Sequence, residues 1–188
     1  MSRSDDMVGV LLAAGAGRRR GEPKALAVDA RGSWLLRSVA VLFEGGCAEV
    51  VVVLGASADE AQKLLPVASG LRVIRADDWA TGLSASLRAG LEAAQISPHQ
   101  RAVMHLVDLP DVTGEVVARV AGAASGPTAL ARAVYAAVPG HPVVFGRDHW
   151  AGVADATGGD RGARDYLAAR EVTLIECGDL ASGADSDL

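Results

Sequence analysis

The chain alternates between short apolar runs and longer segments in which apolar residues recur with helical spacing. The first run, Met7–Ala13, is apolar throughout, and its lack of alternation favours a strand buried on both faces of a parallel sheet. Similar runs predict further strands at residues 49–54, 72–74, 102–107, 129–135, 143–145 and 172–176. Repeated alternation of strands with helices predicts an α/β fold built on a mostly parallel sheet.

Polar residues mark where the intervening helices are expected to begin. Ser33 and Thr113 each precede apolar residues with helical spacing, and Ser57 with Glu60 predicts a capping box. The pattern breaks in the segment 128–145, where residues 138–142 carry two prolines and a glycine. We therefore expect residues 138–142 to connect antiparallel strands added to the second half of the sheet.

The segment after the first strand has the composition of a phosphate-binding loop. Gly15, Gly17 and Gly21 allow the backbone N–H groups to approach anionic oxygens, and residues 18–20 are arginines, followed by Lys24. Alternatively, this segment is a surface turn whose basic side chains face water and bind no phosphate. A dinucleotide fingerprint is disfavoured because the glycine spacing is one residue too long and no acid follows the second strand. A P-loop is excluded because Lys24 is followed by alanine instead of a hydroxyl residue.

Composition narrows the class further. Hydrophobic residues make up 50% of the 188 residues but aromatic ones only 4%, which is typical of an α/β sheet interior in a single domain. The net charge of −5 argues against general nucleic-acid binding and favours a small ligand. Cys47 and Cys177 form no disulfide or zinc pattern, so we expect buried thiols and a cytoplasmic protein. Neither a secretory leader nor a membrane span is predicted.

The stretch Leu12-Ala13-Ala14-Gly15-Ala16-Gly17-Arg18-Arg19-Arg20-Gly21-Glu22-Pro23-Lys24 resembles the signature of the MobA-like nucleotidyltransferases. Four later stretches resemble the molybdenum-cofactor cytidylyltransferase branch, and they are residues 78–87, 108–110, 140–142 and 159–164. The resemblance spans nearly the whole chain. It implies a Rossmann-like three-layer αβα fold, with a nucleotide-binding half at about 1–110 and an acceptor-binding half at about 111–188.

The resemblance also implies the reaction and its central residues. CMP from CTP would be transferred to molybdopterin with release of pyrophosphate. Arg19 and Lys24 would neutralise phosphates during attack on the α-phosphorus, and Asp108 would hold Mg²⁺ between them. A second metal ligand would be Asp187, although residues 185–188 match the family motif incompletely. The family's usual C-terminal helix is expected to be missing.

Substrate contacts are implied for two further groups of residues. The nucleotide-binding group is Leu12, Ala13, Ala14, Gly15, Gly17, Gly82 and Ser86. The acceptor-binding group is His141, Asp160 and Arg161. Ala14, in place of the glycine of guanylyl enzymes, favours the single-ring base of CTP. The other histidines, His99, His105 and His149, lack metal-ligand spacing and are predicted to be structural or exposed.

Alternatives remain open at this point. The same chemistry could use GTP, or an acceptor such as methylerythritol phosphate or phospholactate. A different class would be a non-catalytic protein that binds the molybdenum cofactor and delivers it to a molybdenum hydroxylase, which is the expected recipient in either case. Pyrophosphate release separates the enzyme from the carrier.

Overall fold

A computed structural model describes residues 6–17, 21–156 and 158–186 of the chain. Its strands are β1 (Met7–Ala13), β2 (Val28–Asp29), β3 (Gly32–Ser33), β4 (Glu49–Leu54), β5 (Leu71–Arg75), β6 (Arg101–Leu106), β7 (Leu130–Tyr135), β8 (Val138–Gly146) and β9 (Thr173–Glu176). Its α-helices are α1 (Trp34–Glu44), α2 (Ala58–Leu64), α3 (Leu83–Ala94), α4 (Gly114–Gly122), α5 (Trp150–Ala156) and α6 (Arg164–Ala168).

The main sheet has seven strands in the order β5-β4-β1-β6-β8-β7-β9, while β2 and β3 form a separate short hairpin. Of the described strands in this sheet, only β8 runs antiparallel to its neighbours. From β1 the chain proceeds outward to β4 and β5, and it then returns to place β6 on the other side of β1. The carboxyl ends of β1 and β6 therefore flank a topological switch point, where open α/β sheets bind ligands.

Helices cover both faces of the sheet, as the three-layer expectation requires. In β4, Val50 and Val52 pack into the cluster formed with α1 and α4, whereas Val51 and Val53 pack into the cluster formed with α3 and α5. All four valines are fully buried. Burial on both faces explains why this strand reads as an unbroken apolar run.

The structure corrects the expected connector at residues 138–142. These residues belong to β8, and the hairpin turn is instead made by Ala136 and Ala137, both with positive φ. The strands shift register between Arg132 and Val134, where β7 pairs with β8. A bulge of this kind accommodates residues that a regular ladder excludes, which explains how a segment rich in proline and glycine remains part of the strand.

The helices begin where the sequence predicts, but the predicted side-chain caps do not all form. Ser33 caps α1 by accepting a hydrogen bond from the Leu36 N–H at 3.4 Å. Ser57 precedes α2, but it adopts a left-handed conformation and its side chain makes no capping bond within the described residues. The capping-box prediction is therefore wrong, because the conformation of Ser57 differs from the extended one that a side-chain cap uses.

Cys47 and Cys177 are buried free thiols, as expected. Within the described ranges, none of the helices is both long enough and apolar enough to cross a membrane.

Candidate functional site

The glycine loop leaves the end of β1 at the switch point. Gly17 has φ +60°, and a Cβ there would lie 1.8 Å from the carbonyl oxygen of Glu22. The Gly21 N–H donates to the Gly17 carbonyl at 2.9 Å, so the loop closes on itself. Only glycine fits this turn without displacing the backbone. The predicted cations Arg18, Arg19 and Arg20 lie outside the described residues.

Lys24 and Asp108 meet across the switch point. Lys24 begins a 3₁₀ turn at residues 24–26, and Asp108 follows β6. The Lys24 ammonium donates to the Asp108 carboxylate at 2.6 Å, although 84 positions separate them in the chain. Their side chains are only 19% and 17% exposed, so the pair is shielded from bulk water but remains accessible. The structure thus joins two residues that the sequence predicts to act on the same phosphates.

A cavity of about 540 Å³, here named the loop cavity, opens beside this pair. Most of the residues predicted to bind nucleotide line it, together with the ion pair, and these are Leu12, Ala14, Gly15, Gly17, Lys24, Gly82, Ser86 and Asp108. Ala13 does not: it is 1% exposed and packs in the core beneath. Alternation along β1 explains the difference, since Leu12 and Ala13 point to opposite faces of the sheet.

Trp79 also lines the loop cavity, although the sequence did not predict it as a site residue. A Cβ on Gly55 would lie 2.5 Å from the Trp79 ring, so the chain after β4 supports the indole closely. The ring is large, flat and partly exposed, which suits stacking on a base. Two features of the sequence could have indicated Trp79 as a site residue. This chain has only three tryptophans, and Trp79 lies within one of the stretches that resemble the family.

The start of α3 joins the loop cavity to a second region of the chain. Gly82 has φ +127°, and a Cβ there would lie 2.6 Å from the Gly159 carbonyl carbon and 2.7 Å from the Asp160 carboxylate. This close approach brings the 3₁₀ turn at residues 159–161 against the helix. As a result Asp160, predicted to bind the acceptor, lines the loop cavity as well.

A second cavity of about 560 Å³, here named the hairpin cavity, adjoins the first beside the β7–β8 hairpin. All three residues predicted to bind the acceptor, His141, Asp160 and Arg161, line it. The two cavities share five wall residues, which are Leu12, Leu83, Leu106, Asp160 and Asp185. Two ligands in these cavities would therefore lie side by side.

His141 is held neutral at the wall of the hairpin cavity. Burial, with smaller contributions from His105, Arg132 and Arg164, lowers its pKa to about 3. Its backbone is fixed by the Tyr135 hydroxyl, which donates to the His141 carbonyl at 2.6 Å. A neutral imidazole can both donate and accept a hydrogen bond, which suits a polar ligand.

His105 lies on β6 and is fully buried, in agreement with a structural assignment. Neither ring nitrogen has a hydrogen-bond partner among the described residues. Burial lowers the pKa of His105 to about 4, opposed by the nearby charge of Asp108. The ring is therefore uncharged at neutral pH.

The C-terminal segment passes over the boundary between the two cavities. The Ser182 N–H and hydroxyl both donate to the Asp111 carboxylate at 2.6 Å, and the Ser186 N–H donates to the Asp108 carbonyl at 2.9 Å. Asp185 thereby lines both cavities. The predicted metal ligand Asp187 lies outside the described residues.

The chain is similar in sequence and fold to known proteins. A family model described as MobA-like NTP transferase domain matches residues 9–174. The nicotine blue oxidoreductase of Paenarthrobacter nicotinovorans is 36% identical over 192 residues, covering 96% of this chain and 92% of the relative.

Two solved structures share the fold over almost the full chain. The homologue of Mycobacterium tuberculosis Rv0371c from Mycobacterium sp. strain JC1 is 31% identical with a TM-score of 0.83, covering 99% of this chain and 92% of that chain. Rv0371c of M. tuberculosis H37Rv, in complex with manganese, is 24% identical with a TM-score of 0.75, covering 96% of this chain and 94% of that chain.

Proposed function

Because the chain belongs to the MobA-like NTP transferase family, we propose that it is a magnesium-dependent cytidylyltransferase that transfers CMP from CTP to molybdopterin. The observation that supports this most directly is the Lys24–Asp108 pair, which lines the loop cavity, and this cavity shares wall residues with the hairpin cavity. One cavity offers a glycine loop to a triphosphate. The other offers arginines and a neutral histidine to a second substrate.

In the proposed reaction an oxygen of the acceptor phosphate attacks the α-phosphorus of CTP. A new P–O bond forms on the α-phosphorus while its bond to the bridging oxygen of the β-phosphate breaks, and pyrophosphate leaves with that electron pair. No protein nucleophile is required. Lys24, and Arg19 by its place in the signature, would neutralise the phosphate oxygens, so positioning and charge account for catalysis.

The donor set at Asp108 fits a divalent cation that is completed by substrate. Within the described residues no three His, Cys, Asp or Glu side chains are grouped to hold a metal. Magnesium is nevertheless usually bound by one or two carboxylates together with phosphate oxygens and water, which Asp108 and a bound triphosphate would supply. Asp187 is the proposed second carboxylate, and the Ser186–Asp108 bond brings the preceding residue to this place. When bound, the cation would withdraw charge from the phosphates.

Selection of CTP is proposed to depend on Ala14. Its side chain is buried and lines the loop cavity beside Gly15 and Ala16. A methyl group at this position leaves less space for the base than glycine would. The smaller space favours a single-ring base by about 1–3 kcal/mol. Molybdopterin would occupy the hairpin cavity, in contact with His141, Asp160 and Arg161, before transfer to a molybdenum hydroxylase.

The two halves expected from the sequence are retained in this proposal with one refinement. Residues 1–110 provide the glycine loop and the Lys24–Asp108 pair, and residues 111–188 provide most of the hairpin cavity. Asp160 and Asp185 come from the second half but also line the loop cavity. Completion of both binding sites therefore depends on the second half.

The test is release of pyrophosphate in the presence of Mg²⁺, with molybdopterin as acceptor and CTP, GTP, ATP and UTP compared in parallel. We expect release with CTP, its loss in Asp108→Ala, and its retention in the matched control Asp155→Ala, which replaces an exposed acid on α5. Preference for GTP would contradict the assignment of the base. If no pyrophosphate is released with molybdopterin, but it is released when methylerythritol phosphate or phospholactate replaces molybdopterin, the proposed acceptor is contradicted.

The relative from P. nicotinovorans supports a second candidate, an oxidoreductase acting on nicotine blue or a similar compound, because 36% identity extends over 96% of the chain. The glycine loop lacks the dinucleotide fingerprint, so nucleotidyl transfer ranks first. Incubation with nicotine blue and NADH or NADPH, followed by visible absorbance, separates the two. Bleaching of the dye without pyrophosphate release in the first assay would favour the oxidoreductase.

A further inference from the structure

The hairpin cavity contains arginines that are not neutralised by the protein. Arg132, Arg161 and Arg164 all line it, together with the acids Asp160 and Asp185. Arg161 is paired with Asp165 at 3.1 Å and is mostly exposed. Neither Arg132 nor Arg164 forms an ion pair with a carboxylate in the described part of the chain.

Arg132 occupies a position where its strand otherwise carries apolar side chains. Along β7 the side chains that share its face, Leu130 and Val134, are only 8% and 6% exposed, and Leu130 packs into the core cluster containing α3. A charged residue at such a position is costly unless its hydrogen-bonding groups are used. Sequence alternation alone would have marked Arg132 as exceptional.

Two other arginines, one buried and one half-buried, show what a structural guanidinium looks like in this chain. Arg101 donates to the carbonyls of Ala121 and Ala124, and Arg147 donates to those of Ser97, His99 and Gln95. Each of these side chains ties several backbone oxygens together, as a structural role requires.

Arg132 makes fewer hydrogen bonds than either of these two arginines. It donates only to the Gly140 carbonyl, at 3.2 Å, and its buried Nε has no partner in the described residues. Burial, with the nearby charge of Arg164 as a second cause, lowers the pKa of Arg132. Two cations that line one cavity, without a carboxylate partner in the described residues, would be stabilised by an anion bound in that cavity.

We infer that Arg132 and Arg164 form an anion subsite in the hairpin cavity that binds the phosphate group of the acceptor. This inference rests on the proposed function, since it names how that acceptor is held. The planar guanidinium presents parallel donors that match phosphate oxygens, and Arg164 supplies the second charge from a different element, α6. His141 lies near enough to both arginines for their charges to lower its pKa, so the subsite adjoins a neutral hydrogen-bonding group.

Direct binding of inorganic phosphate tests the subsite without any turnover. Calorimetric titrations use the Lys24→Ala protein, so that the glycine loop contributes less to binding. Adding Arg132→Gln or Arg164→Gln should weaken phosphate binding about 10- to 100-fold, the range for a charge-assisted hydrogen bond. The matched control is Arg75→Gln, an arginine on the edge strand β5 paired with Asp59, which should bind phosphate as the parent does.

Three outcomes of this titration overturn the inference. They are unchanged phosphate binding in both arginine variants, an equal loss in Arg75→Gln, and equally strong binding of acetate, which would assign the subsite to a carboxylate. Circular dichroism and Tm confirm that each variant is folded. Arg164→Gln keeps the test valid if Arg132→Gln does not fold, because Arg164 lies on another element.

Kinetics then separate the subsite from the reaction itself. In the pyrophosphate assay, Arg132→Gln should raise the KM for molybdopterin about 10- to 100-fold while the KM for CTP stays within about twofold. Arg132→Lys should recover part of the loss because it restores the charge. Normal acceptor KM in an active enzyme would overturn the subsite and leave the proposed function intact. If the wild type shows no transfer activity but Arg132→Gln and Arg164→Gln still lose phosphate binding, the subsite stands and the proposed function is overturned.

Discussion

Replacing Lys24 by methionine distinguishes a reactive ion pair from a structural one. Methionine keeps much of the length of the side chain but removes the charge that lies 2.6 Å from Asp108. Both side chains are less than one fifth exposed, so screening by water is limited and the lost charge should be felt strongly. The substitution therefore changes both the free energy of unfolding and the stabilisation of any phosphate bound beside it.

The two effects differ in size and in what reverses them. Loss of one preorganised charge on a transferring phosphoryl group typically lowers kcat by about 100- to 1,000-fold. Leaving Asp108 without the Lys24 cation should lower the free energy of unfolding by about 1–3 kcal/mol. Adding Asp108→Asn should recover most of that stability, because the uncompensated carboxylate is gone, but it should not recover activity.

The assay combines urea unfolding with pyrophosphate release for the wild type, the two single variants and the double variant. A double-mutant cycle gives the coupling energy of the pair, which for residues in contact is about 0.5–3 kcal/mol. Activity of Lys24→Met within about tenfold of the wild type, at saturating CTP and acceptor, would refute the reasoning. A variant that loses stability but keeps its kcat would show that the pair is only structural.

Three further predictions follow from individual environments. Gly82→Ala should lower the free energy of unfolding by about 1–3 kcal/mol, measured in urea, because φ +127° is strained for alanine and the new Cβ would lie 2.6 Å from Gly159; Gly122→Ala in open space on α4 is the control and should be neutral or stabilising. Because the pKa of His105 falls from 6.5 to about 4 on folding, the unfolded chain binds more protons between these values, so stability should fall by about 3 kcal/mol as pH drops through them. His105→Leu should flatten that part of the curve of Tm against pH, and an unchanged slope would contradict the assignment. Burial raises the pKa of Cys47 to about 12, so this thiol should react with iodoacetamide at pH 8 only after unfolding, as peptide mass analysis can show, and rapid labelling of the native protein would count against it.

Local patterns in the sequence determined much of the architecture. The apolar run of β4 predicted a strand covered on both faces, and both of its faces are indeed packed. The glycines of the first loop predicted an unusual backbone, and Gly17 and Gly21 do adopt positive φ. These properties depend on neighbouring residues and on periodicity, which a sequence displays directly.

Patterns became misleading where tertiary contacts override local preference. Residues 138–142 look like a connector because of their prolines and glycine, yet pairing with β7 draws them into β8. Ser57 has the spacing of a capping box, but its left-handed backbone prevents that cap. In both cases the decisive partner is distant in the chain or the conformation is imposed by packing, and neither is visible in a short window.

The site shows the same division. The sequence predicted Lys24 and Asp108 as candidate site residues through motifs that resemble a known family, and it placed the glycine loop after a buried strand. Only the tertiary structure brings those two side chains within 2.6 Å, because β1 and β6 become neighbours at the switch point of the sheet. Only the tertiary structure shows that Trp79 lines the loop cavity and that Arg132 lines the hairpin cavity. Strand order and the direction of each side chain arise from long-range packing, and for this reason residue types could be predicted here whereas their partnerships could not.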